Sequence, residues 1–297
     1  MTNPAFSYQE LLDAGNTSLE KLEFLKASDA TPLAYRRYVP ASPSAALLFI
    51  HGGGAHSGAG YQTLATGIRE RHNIAVYTPD LRGHGASDGR RGDSPSIERV
   101  WKDISDFIQH IRRQHPGLPL VLGGHSSGGG LALNYATWVK SELVDAYAFL
   151  SPEFGFRSGT ERKGHLPFAS ANVPAFILNA MSGGYLLGHY YAVRFKLPKE
   201  IQAQDPLLLS AYSVNMANAV TPSAPRRQFA GLARPYGLWI GEEDELLEPK
   251  AVLAYALLKQ PNSPSRQAAA IPNAKHLSVL LYAADIMGEW ISKLPRT

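Results

Sequence analysis

Ser126 is the residue whose neighbours best fit it for covalent chemistry. It stands in Gly124-His125-Ser126-Ser127-Gly128, after the apolar run Leu118-Pro119-Leu120-Val121-Leu122-Gly123. That run reads as a buried strand. Residues 129–140 read as a helix with Leu131, Leu133, Tyr135, Ala136 and Val139 on its packed face. A serine on so sharp a strand-to-helix turn is held at strained φ/ψ, with its hydroxyl projected above the sheet. Glycines two before and two after let the neighbouring backbone close in. The five-residue pattern recurs by chance in unrelated chains, so its weight comes from what accompanies it.

A serine hydroxyl is a poor nucleophile at neutral pH and needs a base oriented by an acid. Of the ten histidines, only His276 follows the last strand-like run, Gln267 to Ile271, at the start of a closing helix expected from Leu277 to Ser292. Four carboxylates follow the strand Tyr236 to Ile240, in Gly241-Glu242-Glu243-Asp244-Glu245-Leu246, and composition does not choose among them. Glu153, just after the strand Ala146 to Leu150, is a further candidate acid. A tetrahedral oxyanion needs two preorganised backbone donors. Ser127, the residue after the nucleophile, supplies one. Gly53, in His51-Gly52-Gly53-Gly54 after the strand Ala46 to Ile50, supplies the other. No G-K-[ST] follows those glycines, so they do not read as a phosphate loop.

These residues need a scaffold, and the chain supplies an alternating one. Ser18 to Ala27 and Thr31 to Val39 read as an antiparallel edge pair. Strands at 46–50, 74–77, 118–123 and 146–150 then alternate with helices at 61–71, 96–114 and 129–140. Apolar strands separated by helices imply an α/β fold with a mostly parallel eight-stranded sheet flanked by helices. The alternation fails from about 152 to 233 and resumes with strands at 236–240 and 267–271. The expected division is a core of 1–151 and 234–297, with a helical cap, 152–233, inserted after the sixth strand. Asp80-Leu81-Arg82-Gly83-His84-Gly85 suits a sharp turn, with Arg82 and His84 as structural braces.

Composition narrows the function. The chain has 297 residues, 44% of them hydrophobic, enough for a large core. It has no cysteine, which excludes disulfides, thiolate metal sites and cysteine nucleophiles. With no apolar run of membrane length, and no secretory pattern in Met1-Thr2-Asn3-Pro4-Ala5-Phe6, a cytoplasmic enzyme is expected. The net charge of +4 is spread over scattered Arg and Lys pairs, which argues against nucleic acid. No H-E-x-x-H or similar cluster occurs, so neither metal nor organic cofactor is expected. Residues 164–193 contain no Asp, Glu, Lys or Arg. They read as a lid whose Leu186, Leu187 and Tyr190 line an acyl site, and which touches lipid aggregates transiently.

Four motifs in register carry a family likeness. His51-Gly52-Gly53-Gly54-Ala55-His56-Ser57-Gly58, with Tyr61 beyond, resembles the H-G-x-G-x-H-S-G…Y loop of monoacylglycerol lipases and lysophospholipase-like serine hydrolases of the α/β-hydrolase superfamily. Asp80-Leu81-Arg82-Gly83-His84-Gly85-Ala86-Ser87-Asp88-Gly89 is similar to their D-x-x-G-H-G-x-S-x-G. Gly124-His125-Ser126-Ser127-Gly128-Gly129 is similar to G-H-S-x-G-G, and Gly241-Glu242-Glu243-Asp244 to G-x-x-D. Asp205-Pro206 resembles a dipeptide near the end of their cap. The likeness, over residues 46–276, implies the α/β-hydrolase fold, whose chain order is serine, acid, histidine. It selects Asp244 as the acid and implies a Ser126–His276–Asp244 triad acting on a small-molecule ester or lipid, with Tyr61 at the substrate site. Ala55 departs from the pattern, since these lipases commonly carry glutamate there. An amidase, peptidase or C–C hydrolase would use the same triad, and a non-catalytic ligand-binding protein would use the same fold.

Overall fold

The computed structural model describes residues 18–156, 158–164, 168–258 and 266–295. The N-terminal reading of residues 1–6 therefore lies outside the described residues. The chain opens with a hairpin, β1 (Glu23–Lys26) and β2 (Pro32–Tyr38), turning through Ala30 at φ 70°. It continues as β3 (Ala45–Ile50), α1 (Tyr61–His72), β4 (Ile74–Pro79), α2 (Ile97–Gln114), β5 (Leu120–His125), α3 (Ser127–Ala136) and β6 (Ala146–Leu150). After an insertion come β10 (Tyr236–Gly241), a short helix at Pro249–Leu253 running into a 3₁₀ turn at Ala254–Leu258, and β11 (Arg266–Ile271). Among the described residues these strands form one eight-stranded sheet in the order β1-β2-β4-β3-β5-β6-β10-β11. It is parallel from β4 to β11, and β1 and β2 run antiparallel at one edge.

Continuous apolar runs make this sheet because both of its faces are covered. Every residue of β3 is buried, and the strand splits by side-chain alternation. Ala46, Leu48 and Ile50 join one core with Val100, Ile104 and Phe107 of α2. Ala45, Leu47 and Phe49 join the other with Leu64 and Ile68 of α1, and with Met287, Trp290 and Ile291 near the C-terminus. Ser96 caps α2 by accepting the Arg99 N–H at 3.1 Å.

Two helix boundaries differ from the sequence pattern. The helix after Ser126 ends at Ala136, where Thr137 Oγ1 turns back onto the Leu133 and Asn134 carbonyls. Thr137, Trp138 and Val139 are all weak helix formers. Val139 is therefore fully exposed rather than packed. The closing helix is two pieces, Val279–Tyr282 and Ala284–Ser292, and His276 lies in the loop before them.

The insertion is also not purely helical. It holds β7 (Ala169–Ala171), α4 (Val173–Met181), β8 (Tyr191–Phe195), α5 (Lys199–Gln204), β9 (Ala211–Ser213), α6 (Val214–Val220) and α7 (Pro225–Ala230). Its three strands form a small antiparallel sheet, β7-β8-β9. Three to five residues are too few for a period-two pattern to stand out, and Ala-Ser-Ala has no β-forming side chain. Tyr212, Met216, Ala219, Val220 and Phe229 sink into the same core as β3 and α2. The insertion is thus fastened to the main domain, and its own cluster is small, Ala175, Ala192 and Val214 with Phe176 against them.

Arg82 braces the turn after β4. Its guanidinium meets both Asp103 oxygens on α2, at 2.8 and 2.7 Å, and reaches Thr31 and Asp29 in the hairpin. Both Arg82 and Asp103 are buried. Removing Arg82 leaves Asp103 with Arg99 alone, 2.9 Å from the same carboxylate. Arg82→Met is therefore expected to lower unfolding stability by less than the roughly 3–5 kcal/mol of a fully stranded buried charge, but measurably, in urea denaturation. A loss within experimental error would assign the brace no energetic weight.

Candidate active site

Ser126 sits between β5 and α3 at φ 53° and ψ −122°, a conformation that costs strain for any residue with a Cβ. Backbone crowding holds it there. A Cβ at Gly124 would overlap the Gly128 carbonyl, and one at Gly128 would overlap the Ile50 and His51 carbonyls at the end of β3. The Ser126 N–H donates to Leu150 O at 3.1 Å, and its carbonyl accepts from the Glu153 amide at 2.9 Å.

The hydroxyl faces His276. Ser126 Oγ lies 3.0 Å from Nε2, and Nδ1 lies 2.8 Å from Asp244 Oδ2. Asp244 Oδ1 accepts the Leu246 and Leu247 amides at 3.0 and 2.8 Å, which fixes the carboxylate. With Nδ1–H donating to Asp244, Nε2 is free to accept the serine proton. The neighbouring carboxylates stand elsewhere. Glu242 and Glu243 are exposed, Glu245 accepts the His276 backbone N–H at 2.9 Å, and Glu153 accepts the Gly155 amide. Burial disfavours a charged His276 ring, but the adjacent Asp244 carboxylate outweighs it and raises the pKa above 6.5. Burial likewise pushes Asp244 upward, and the His276 ring with the two amides more than reverses it. Burial, helped by the Glu161 and Asp244 carboxylates and opposed by the Gly155 amide and His276, drives Glu153 up to about 7.

The glycine loop after β3 crosses in front of the serine. Gly52 packs closely, since a Cβ there would sit 3.2–3.3 Å from His125, Tyr61 and Ser126. Among the described residues, the Gly53 and Ser127 amides meet no acceptor within the protein. A directed hydrogen-bond chain ties this loop to the histidine loop. Gly52 N–H donates to Tyr61 Oη at 2.6 Å, and Tyr61 O–H donates to His125 Nδ1 at 3.0 Å. His125 Nε2–H then donates to the His276 carbonyl at 2.8 Å. Burial, with His276 beside it, pushes His125 down to about 3, so it stays neutral and can both accept and donate.

A narrow cavity of about 40 Å³ opens at Ser126, walled by Ala55, Phe168, Leu197, Leu208, Leu246 and Leu277. Tyr61 lines it as expected. Leu186, Leu187 and Tyr190 do not, because the segment after α4 turns outward and leaves all three exposed. Leu246 and Leu277 flank the acid and base in sequence, a signal that could have found them. Phe168 belongs to the charge-free stretch 164–193, whereas Leu197 and Leu208, the latter within Leu207-Leu208-Leu209, lie in aperiodic sequence outside it and carried none. Among the described residues no group of three His, Cys, Asp or Glu is placed to hold a metal ion.

Known proteins resemble this chain in sequence and in fold. The sequence model of a family described as serine aminopeptidase, S33, matches residues 41–280, from before the glycine loop to beyond His276. The chain belongs to the S33 family. Its S33 sequence is 28% identical to human monoglyceride lipase over 269 residues, covering 87% of this chain and 84% of the human protein. A soluble variant of monoglyceride lipase from Saccharomyces cerevisiae, solved with a substrate analog, superposes with a TM-score of 0.66 at 18% identity, covering 95% and 98% of the two chains. A thermostable carboxyl esterase from Bacillus coagulans, in complex with glycerol, gives 0.68 at 15% identity, covering 94% and 99%. This S33 chain is an α/β-hydrolase similar to monoglyceride lipases.

The geometry separates the carboxylates of this S33 site. Asp244→Asn is expected to lower kcat about 10⁴-fold, as for a histidine held in the wrong tautomer. Glu242→Gln and Glu243→Gln should leave kcat within twofold. Steady-state kinetics on one activated ester compares these three with Glu153→Gln, and a large loss at Glu243 or Glu153 instead would name a different acid.

Proposed function

We propose that Ser126, His276 and Asp244 form a catalytic triad through which this carboxylic-ester hydrolase cleaves esters of apolar acyl groups, by way of an acyl-enzyme. The observation that carries the assignment is the unbroken chain from the Asp244 carboxylate through the His276 ring to Ser126 Oγ, beside two amides with no partner of their own. His276 Nε2 takes the hydroxyl proton as Ser126 Oγ bonds to the ester carbonyl carbon. The carbonyl electrons move onto oxygen, where the Gly53 and Ser127 amides donate to it. His276 then gives its proton to the departing alcohol. Water repeats the sequence on the acyl-enzyme and releases the acid.

The substrate class follows from the walls and the surface. The cavity wall is apolar, and Ala55 leaves no carboxylate at its rim. The cavity at Ser126 is small and partly open to solvent, and Phe168, Leu197 and Leu208 of the insertion form part of its wall. Outside, Val173, Ile177, Leu178, Met181, Tyr185 and Leu186 form an exposed apolar surface on and after α4, with Met181 79% and Tyr185 93% exposed. No described helix is long and apolar enough to cross a membrane. This surface suits transient contact with aggregated lipid, from which an acylglycerol or lysophospholipid would be drawn. The family description favours a second reading, cleavage of an aminoacyl amide by the same residues.

Ser126→Ala should reduce kcat on p-nitrophenyl esters about 10⁶-fold, and wild type should turn over these esters far faster than aminoacyl p-nitroanilides. The reverse preference would support the amide reading. Because His276 must be neutral to accept a proton and its pKa is raised, kcat/KM should climb with pH through one ionisation lying above 6.5. A profile flat across that region would remove histidine as the base. The double variant Leu186→Ser with Leu187→Ser should leave dissolved butyryl ester kinetics unchanged and lower the rate on vesicle-bound monoacylglycerol several-fold. Equal losses on both substrates would return these leucines to the acyl site.

A further inference from the structure

The Gly53 amide lies in a turn whose two flanking peptides are each held by a tyrosine, and only one of these belongs to the main domain. Ala55 N–H donates to Gly52 O at 3.2 Å, closing a turn over Gly52-Gly53-Gly54-Ala55. Across a trans peptide the carbonyl and N–H point in opposite directions. With Gly52 O turned toward Ala55, the Gly53 N–H is aimed outward from the turn. The peptide before it is fixed by Tyr61, which accepts the Gly52 N–H. The peptide after it is fixed by Tyr212 of β9, whose hydroxyl accepts the Gly54 N–H at 2.8 Å.

The two tyrosines are held in matching ways. Tyr61 hands its proton to buried His125. Tyr212 hands its own to buried His84, with Oη 2.7 Å from Nε2. His84 Nδ1 lies 2.9 Å from the Arg82 carbonyl, which can only accept, so Nδ1 carries the proton and Nε2 is the acceptor. Burial, reinforced by His51, lowers the His84 pKa well below the ordinary value and keeps the ring neutral, while burial raises that of Tyr212 and keeps its hydroxyl protonated. The insertion adds two further restraints. Leu209 N–H donates to Gly54 O at 2.8 Å, and Phe195 lies against Gly53 and Gly54 while meeting Tyr212 edge-on, with ring centroids 4.8 Å apart.

We infer that Tyr212, backed by His84, is a positioning residue for the oxyanion hole, so that the insertion sets the rate of the chemical step as well as covering the cleft. This rests on the assignment of Gly53 as an oxyanion donor. Ground-state ester makes little use of that donor, whereas the tetrahedral oxyanion depends on it. Loosening the turn should therefore appear in kcat.

The test is Tyr212→Phe, which keeps the ring against Phe195 and deletes the hydroxyl. On p-nitrophenyl butyrate, kcat should fall tenfold or more, with KM within twofold. Affinity for a boronic acid that forms a tetrahedral adduct with Ser126 should weaken by the same factor. Tyr255→Phe serves as the reference, because it deletes a buried hydroxyl bonded to the Ser158 carbonyl, away from the glycine loop. It should cost similar thermal stability and leave kcat unchanged. If Tyr212→Phe does not fold, His84→Asn keeps a donor toward Arg82 O and removes the acceptor behind Tyr212, and kcat should again fall with KM unchanged. Full kcat in the variant that folds, a change confined to KM, or a loss matched by Tyr255→Phe would each overturn the inference. Failure of wild-type enzyme to hydrolyse any ester, or to be labelled at Ser126 by a fluorophosphonate, would instead overturn the function on which it rests.

Discussion

The close approach of three backbone segments at Ser126 is the constraint on which the rest of this site depends. The start of α3 presses against the end of β3 so tightly that Gly128 can carry no side chain, and Gly124 is excluded from one by Gly128 in turn. That contact forces Ser126 to φ 53°, a backbone no serine adopts without support. Support comes from hydrogen bonds to Leu150 and Glu153 and from a central sheet buried on both faces. The strain is local, and the packing that sustains it extends across the domain. Its consequence is positional. The hydroxyl meets the His276 ring, and the Ser127 amide opens the helix beside it.

Carboxylates carry the charge around His276, Asp244 at the ring and Glu245 at the backbone N–H. Asp244 is buried, and the His276 ring stabilises it, while His51, His84 and His125, also buried, are held below their ordinary pKa and stay neutral. A neutral imidazole donates from one nitrogen and accepts at the other, so it can join two loops without introducing a second charge. His125 joins Tyr61 to the His276 backbone, and His84 joins Tyr212 to the turn after β4. Histidines that look chemical in the sequence therefore serve as connectors. Their neutrality adds no second positive charge beside the Asp244–His276 pair.

The insertion has two faces with different physical roles. Its inner residues join the main core and hold the glycine loop, so they belong to the rigid part of the molecule. Its outer surface, around α4, exposes apolar side chains that an isolated domain gains nothing by displaying. The cavity between the insertion and Ser126 is narrow. The insertion therefore supplies both part of the cavity wall, through Phe168, Leu197 and Leu208, and the contacts that hold the glycine loop.

The sequence by itself determined the sheet and its strand order in the chain, because continuous apolar runs and helical spacing need no distant information to be recognised. It also determined Ser126, whose glycines record a local steric demand, and singled out His276 by chain order. Among Glu242, Glu243, Asp244 and Glu245 the local sequence was mute, and motif likeness had to choose. Only the tertiary structure brought Asp244 alone onto the imidazole, since the turn after β10 aims Asp244 at the ring, places Glu245 on the His276 backbone N–H and leaves two in solvent. The cavity wall and the Tyr212–His84 brace were likewise decided in three dimensions. Tyr212 and Gly54 are 158 positions apart, and neither periodicity nor spacing encodes a contact made by the return of the insertion. The same reason misplaced Leu186 and Leu187. An apolar run states that side chains avoid water, but not which surface, inner or outer, the folded chain gives them.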